Sequence, residues 1–216
     1  MKQSLTLLVT AIVLAAISPV HAASDNDLSV KGVITPSACT PVLSADGVVD
    51  HGKISAQDRD KYGLSPLPDV TLQLAINCAA QTLIAIKSKD NRPGTNATYP
   101  PTHGDTTSFG LGLTSDGKKV GNYRLQMRNS TADGNSRGVI ESTDGKTWFN
   151  APDGTVWQPD WMRSLSVAAG SGAAPLPMQV FNADLVVSTW ILGSYLLPIT
   201  EDTPMDGSAT LDVVYL

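Results

Sequence analysis

The stretch Val70–Cys78, VTLQLAINC, decides the fold class. Val70, Leu72, Leu74 and Ile76 alternate with Thr71, Gln73, Ala75 and Asn77. Successive side chains of a strand point to opposite faces, so this period predicts a strand with one face in a core and the other in water. TLIAIKS follows at once, carrying Leu83, Ile84 and Ile86. Further on, Phe109, Leu111 and Leu113 oppose Gly121, Tyr123, Leu125 and Met127 across Asp116-Gly117. That reads as a hairpin, because glycine accepts the positive φ of a tight turn. MQVFNADLVV (178–187) reads as another strand. So does GSATLDVVYL (207–216), where Ala209, Leu211, Val213 and Tyr215 share a face. Upstream, Leu28, Val30 and Gly32 alternate with Ser29, Lys31 and Val33. Six Asp-Gly pairs, starting at Asp46, Asp116, Asp133, Asp144, Asp153 and Asp206, punctuate the chain. Sustained helical spacing is missing beyond the N-terminal region. The predicted fold is all-β, an antiparallel sandwich.

Two segments are less regular. Residues 87–108 are polar and rich in Pro and Gly, and residues 128–162 hold three tryptophans among short turns. Both are expected to be long loops of one domain spanning 23–216. AAGSGAAPLP (168–177) reads as a flexible connection.

The N-terminus sets the compartment. Lys2 precedes an uncharged, mainly apolar run from Leu5 to Ile17. Ser18 and Pro19 end that run, and Val20-His21-Ala22 suits a cleavage site. This is the pattern of a secretory signal peptide over residues 1–22. As a membrane anchor the run falls short of the ~20 residues that span a bilayer. Export to the periplasm or bacterial cell surface exposes Cys39 and Cys78 to oxidising conditions, where a pair becomes a disulfide. Free or metal-binding thiols are the alternative, but two cysteines and the distant His51 and His103 make a poor zinc set. The Cys39–Cys78 staple closes a long loop, for which chain entropy predicts ~4 kcal/mol.

Composition narrows the function. The net charge is −5 and basic residues do not cluster, which argues against a nucleic-acid partner. No G-x-S-x-G elbow, H-E-x-x-H pair or phosphate-binding loop is present. His51 and His103 lack any local catalytic signature, and the Asp-Gly pairs lack calcium-site spacing. No catalytic residue, metal or cofactor is expected. Lys87, Lys89, Asp90, Asn91 and Arg92 form a mixed-charge turn that could hold an anion, though a solvated turn suits them better. Trp148, Trp157 and Trp161 could form a stacking surface for a ligand, against the plainer reading of a small core beneath a loop.

Several segments, taken in order, resemble chaperone–usher pilus subunits. They are SVKGVITPSAC (29–39), VVDHGKI (48–54), VTLQLAINC (70–78), LPMQVFNADLVV (176–187) and DGSATLDVVYL (206–216) with its penultimate Tyr215. TPSACTPVLSADGVVDHGKI, TLIAIKSKDNR, FGLGLTSDGKKVG, ILGS and GSATLDVVYL look closer still to the landmarks of the GltF-like exported proteins, a family of unknown function. The resemblance implies an immunoglobulin-like sandwich of fimbrial-subunit type that can lack one strand. It also implies a groove filled by a periplasmic chaperone's strand or by another pilus subunit, with an usher as a further partner. Leu211, Val213 and Tyr215 are the implied contacts for chaperone or donor strand. One feature departs from the pilus pattern. ASDNDLSVKG offers only Leu28 and Val30 as large apolar residues, so this chain should accept a strand better than it donates one. The alternative function is a freestanding soluble periplasmic binding module.

Overall fold

The computed structural model describes residues 38–100, 105–167 and 172–216. The signal peptide, most of the SVKGVITPSAC segment, His103 and the first part of the 168–177 connection lie outside the described residues.

Among the described residues thirteen strands follow one another: β1 (Cys39–Leu43), β2 (Leu64–Pro66), β3 (Val70–Thr82), β4 (Ile84–Asp90), β5 (Phe109–Gly110), β6 (Gly121–Ala132), β7 (Asn135–Ser136), β8 (Gly138–Ser142), β9 (Phe149–Asn150), β10 (Val156–Trp157), β11 (Met162–Ser166), β12 (Met178–Leu192) and β13 (Ala209–Tyr215). Two short 3-10 turns, Ser44–Gly47 and Ala56–Asp58, are the described helical elements. The strands make two sheets. The first runs β1-β3-β12-β6-β10, with β2 on β12 and with β5 and β7 on β6. The second runs β13-β4-β11-β8-β9. All pairings are antiparallel.

The alternation in Val70–Cys78 works as read. Leu72, Leu74, Ile76 and Cys78 are buried, while Thr71, Gln73 and Asn77 are exposed. Fully burying a side chain such as Leu74 or Ile76 contributes about 1.5–3 kcal/mol. At Leu83 the chain passes from one sheet to the other, since β3 belongs to the first and β4 to the second. Ile84 and Ile86 of β4 then join Leu74, Ile76, Phe181 and Leu165 in one core between the sheets. The hairpin also forms, with Phe109 opposite Tyr123 and Leu113 bridged to Lys119.

The structure corrects both long loops. Residues 87–90 belong to β4, and Ala97 further along is buried, so 87–108 is not simply an exposed loop. Residues 128–162 carry the end of β6, all of β7 to β10 and the start of β11. These strands are two to five residues long where they are complete, too short for alternation to show. β12 runs past the 178–187 segment because Ser188 and Thr189, though polar, are buried within it and paired to β6. Five of the six Asp-Gly glycines adopt positive φ, as turns demand. Gly207 is the exception.

Cys39 and Cys78 form the expected disulfide. They sit directly opposite each other in the β1–β3 register, so the staple clamps an edge strand to its sheet.

Candidate functional site: a groove between two sheet edges

β1 and β13 each end the order of their sheet, and neither takes a further strand among the described residues. The two edges differ in what they offer. In β13 the bonded phase is marked by Asn91 N–H donating to Ser208 C=O and by Leu216 N–H donating to Leu83 C=O. Antiparallel pairs alternate between bonded and non-bonded, so Thr210, Asp212 and Val214 share that phase. Ala209, Leu211, Val213 and Tyr215 therefore turn their N–H and C=O groups to the vacant side. The same count on β1, from Ala79 N–H donating to Ala38 C=O, turns Pro41 outward. Proline has no N–H, which blunts the β1 edge. β13 has no such proline on its outer side.

Between these edges lies a groove of about 600 Å³. Ala209 and Leu211 of β13 form one wall, with Leu43 and Val48 to Gly52 opposite. Leu72, Leu125, Leu185 and Val187 supply an apolar floor. Ala209, Leu211 and Val213 pack on the core but are only partly buried. Tyr215 is 43% exposed, and its hydroxyl accepts from Cys39 N–H at 3.0 Å. That contact ties the two edges together at the disulfide end.

Gly207 owes its identity to close approach. A Cβ there would lie 2.8 Å from Leu111 Cδ2 and 2.9 Å from Tyr123 Cε1. Tyr123 also lines the groove. Its buried hydroxyl lacks a hydrogen-bond partner among the described residues. Burial pushes this phenol well above its ordinary range, and the nearby Asp90 charge adds to the effect. Within the groove, His51 Nε2 is hydrogen-bonded with Thr189 Oγ1 at 3.1 Å.

A second cavity of about 320 Å³ shares Met205 with the groove in its lining. Arg59 lines it, along with Ile54, Val120, Ile191, Ile199 and Glu201. Arg59 is 8% exposed, and its Nη1 donates to the Leu192 carbonyl at 3.1 Å. No carboxylate pairs with it among the described residues.

The mixed-charge turn serves the fold. The Asp90 carboxylate accepts from Arg92 N–H and Gly110 N–H, while Arg92 Nε and Nη2 donate to the two Asp206 oxygens at 2.9 and 2.8 Å. Asn91 bonds Ser208 and Thr210. These contacts latch the start of β13. The tryptophans separate. Trp157 is fully buried, its Nε1 donating to the Trp161 carbonyl, and Arg163 lies 5.5 Å from its ring centre. It belongs to the core and not to a ligand surface, because short β10 turns its ring inward from β6. Trp161 packs on that core, and Trp148 is half-buried on the approach to β9. Of the residues the resemblance implied, Leu211 lines the groove, Val213 packs on the core and Tyr215 bonds Cys39, while Arg59, Tyr123 and Met205 were not foreseen. Nothing in QDRDKYG or DTPMDG marks a cavity lining.

Among known proteins, residues 28–107 match the model of a family described as "Protein of unknown function (DUF1120)". The chain is 28% identical over 226 residues to Protein GltF of Escherichia coli (strain K12), with 89% of each covered. The chain is thus similar to GltF over most of both lengths. A second relative, Uncharacterized protein YhcF of the same organism, is 27% identical over 222 residues, covering 91% of this chain and 92% of the relative.

Proposed function

We propose that this chain is a non-enzymatic, exported immunoglobulin-like module of fimbrial-subunit type, which accepts a donor strand along β13. One observation carries this reading. β13 presents the outward N–H and C=O groups of Ala209, Leu211 and Val213 beside a groove floored by Leu72, Leu125 and Leu185. An incoming strand would satisfy those groups and bury its alternate apolar side chains in the groove, which is strand addition at a sheet edge. The disulfide fits export into an oxidising compartment, where a pilus chaperone, an usher and other subunits are the natural partners. The freestanding binding module has less support, since Trp157 lies in the core.

The test is capture by a periplasmic chaperone of the pilus class during export. The full chain should co-purify with it, and a chain lacking residues 211–216 should not. Equal recovery of both would remove β13 from the interaction.

A further inference from the structure

The two cavities share Met205, and both are lined by the same face of β12, so we infer that they act as one trough. Along one wall, residues 47–52 are followed by Ile54 and Arg59. Along the other, Ala209 and Leu211 give way to Met205 and then Glu201. β12 forms a shared floor, through Leu185, Val187 and Thr189 in the larger space and Ile191 in the smaller. Six residue steps at strand rise make this floor roughly 20 Å long, enough for a strand of about seven residues.

The chemistry changes along the trough. The stretch beside β13 is apolar. The far stretch holds Arg59, a largely covered residue whose guanidinium is part-buried and has five donors, one of which meets the Leu192 carbonyl. A partly desolvated guanidinium with no carboxylate partner among the described residues gains a charge-assisted hydrogen bond from an arriving carboxylate. Glu201 and Asp202 also border this space, but they point into solvent. Glu201 accepts from Ser115 Oγ at 3.1 Å, and Asp202 lies 4.0 Å from Lys53 in a fully exposed pair. Water and salt screen such exposed charges far more than a buried one.

Resting on the strand-accepting reading, we propose that the incoming strand carries a carboxylate just beyond its apolar residues, at the end that passes Ala209 and reaches Arg59. Its partner is thus an alternating apolar strand flanked by Asp or Glu. The groove buries the apolar side chains and the guanidinium selects the acid.

The experiment titrates the full exported chain with fluorescent nine-residue peptides of alternating apolar and polar residues, read by anisotropy. Four peptides carry Asp or Asn at one end or the other, so either strand direction is covered. For one direction, the Asp peptide should bind about tenfold tighter than its Asn twin, the scale of one charge-assisted hydrogen bond. Raising the salt should narrow that gap only slightly. In Arg59→Gln the preference should shrink to about twofold or less, while Arg59→Lys keeps most of it. The wild-type Asp–Asn comparison stands by itself should Arg59→Gln fail to fold. Equal binding of Asp and Asn peptides would overturn the carboxylate inference and leave strand acceptance standing. Binding of none of the four would overturn strand acceptance, and this inference with it. Displacement of the Asp peptide by millimolar free aspartate would reassign Arg59 to a small-molecule site and also overturn the proposal.

Discussion

Arg163 is 1% exposed, and its Nη2 donates to Glu141 Oε2 at 3.1 Å and to the Thr155 carbonyl at 3.0 Å. Burial lowers the guanidinium's pKa, and Glu141 works against that shift. Removing one partner of a buried pair strands the other's charge. Glu141→Ala should therefore lower stability by about 3 kcal/mol in urea unfolding. A loss of a few tenths would mean that the Thr155 carbonyl alone satisfies Arg163. Several aspartates carry a pH signature. Burial pushes Asp105 up, but hydrogen bonds from Thr107, Ser108 and Arg124 outweigh it and leave the carboxyl below its ordinary range. Arg92 lowers Asp206, Gln81 and the Val180 and Gln179 amides lower Asp133, and the Thr147 and Lys146 amides lower Asp144. Each group is depressed in the folded state, so its contribution is complete above the unfolded value of about 4 and is lost as pH falls through the folded value. The urea midpoint should hold from pH 7 to 5 and decline below about 4. A midpoint at pH 3 equal to that at pH 7 would contradict these assignments.

At the scale of elements, the four sheet edges are handled unequally. β9 and β10 are two residues each, too short to recruit another chain. β1 is blunted by Pro41 and clamped by its disulfide. β13, seven residues long, keeps its outward backbone groups. In the loop-entropy model, Cys39→Ala should cost about 4 kcal/mol, and reductant should move the wild type toward the variant in urea unfolding. Unchanged unfolding under reduction would show that the β1–β3 ladder holds without the staple. The docking of β13 depends on Gly207 lying against Leu111 and Tyr123. Gly207→Val should overpack that contact at a cost of about 1–3 kcal/mol and speed hydrogen exchange at β13 amides while β3 amides stay protected. Uniform protection would show that the segment around Gly207 shifts at no cost.

At the scale of the molecule, Tyr215 ties β13 to Cys39 at one end, and no strand lies between β1 and β13 among the described residues. A strand that fills the groove binds only the folded chain and so stabilises it by mass action. At a hundred times its dissociation constant, an alternating apolar peptide should add about 2.7 kcal/mol and raise the melting temperature. A melting temperature indifferent to saturating peptide would place the binding elsewhere on the surface.

The alternation of Val70–Cys78, the hairpin about Asp116-Gly117 and the shared face of Ala209, Leu211 and Val213 were legible from sequence. In each, a half-buried strand writes its period of two into neighbouring residues. The cysteine pair was legible from chain chemistry and the compartment it implied. The strands within 128–162 were not, because two-residue elements hold no period and depend on the partners they meet. Nor were Arg59 and Tyr123, whose importance comes from cavity walls supplied by residues distant in the chain. Local pattern, acting over a few residues, thus determined the strands and the staple. Only long-range pairing decided which strands end the sheets among the described residues and which distant side chains line the cavities.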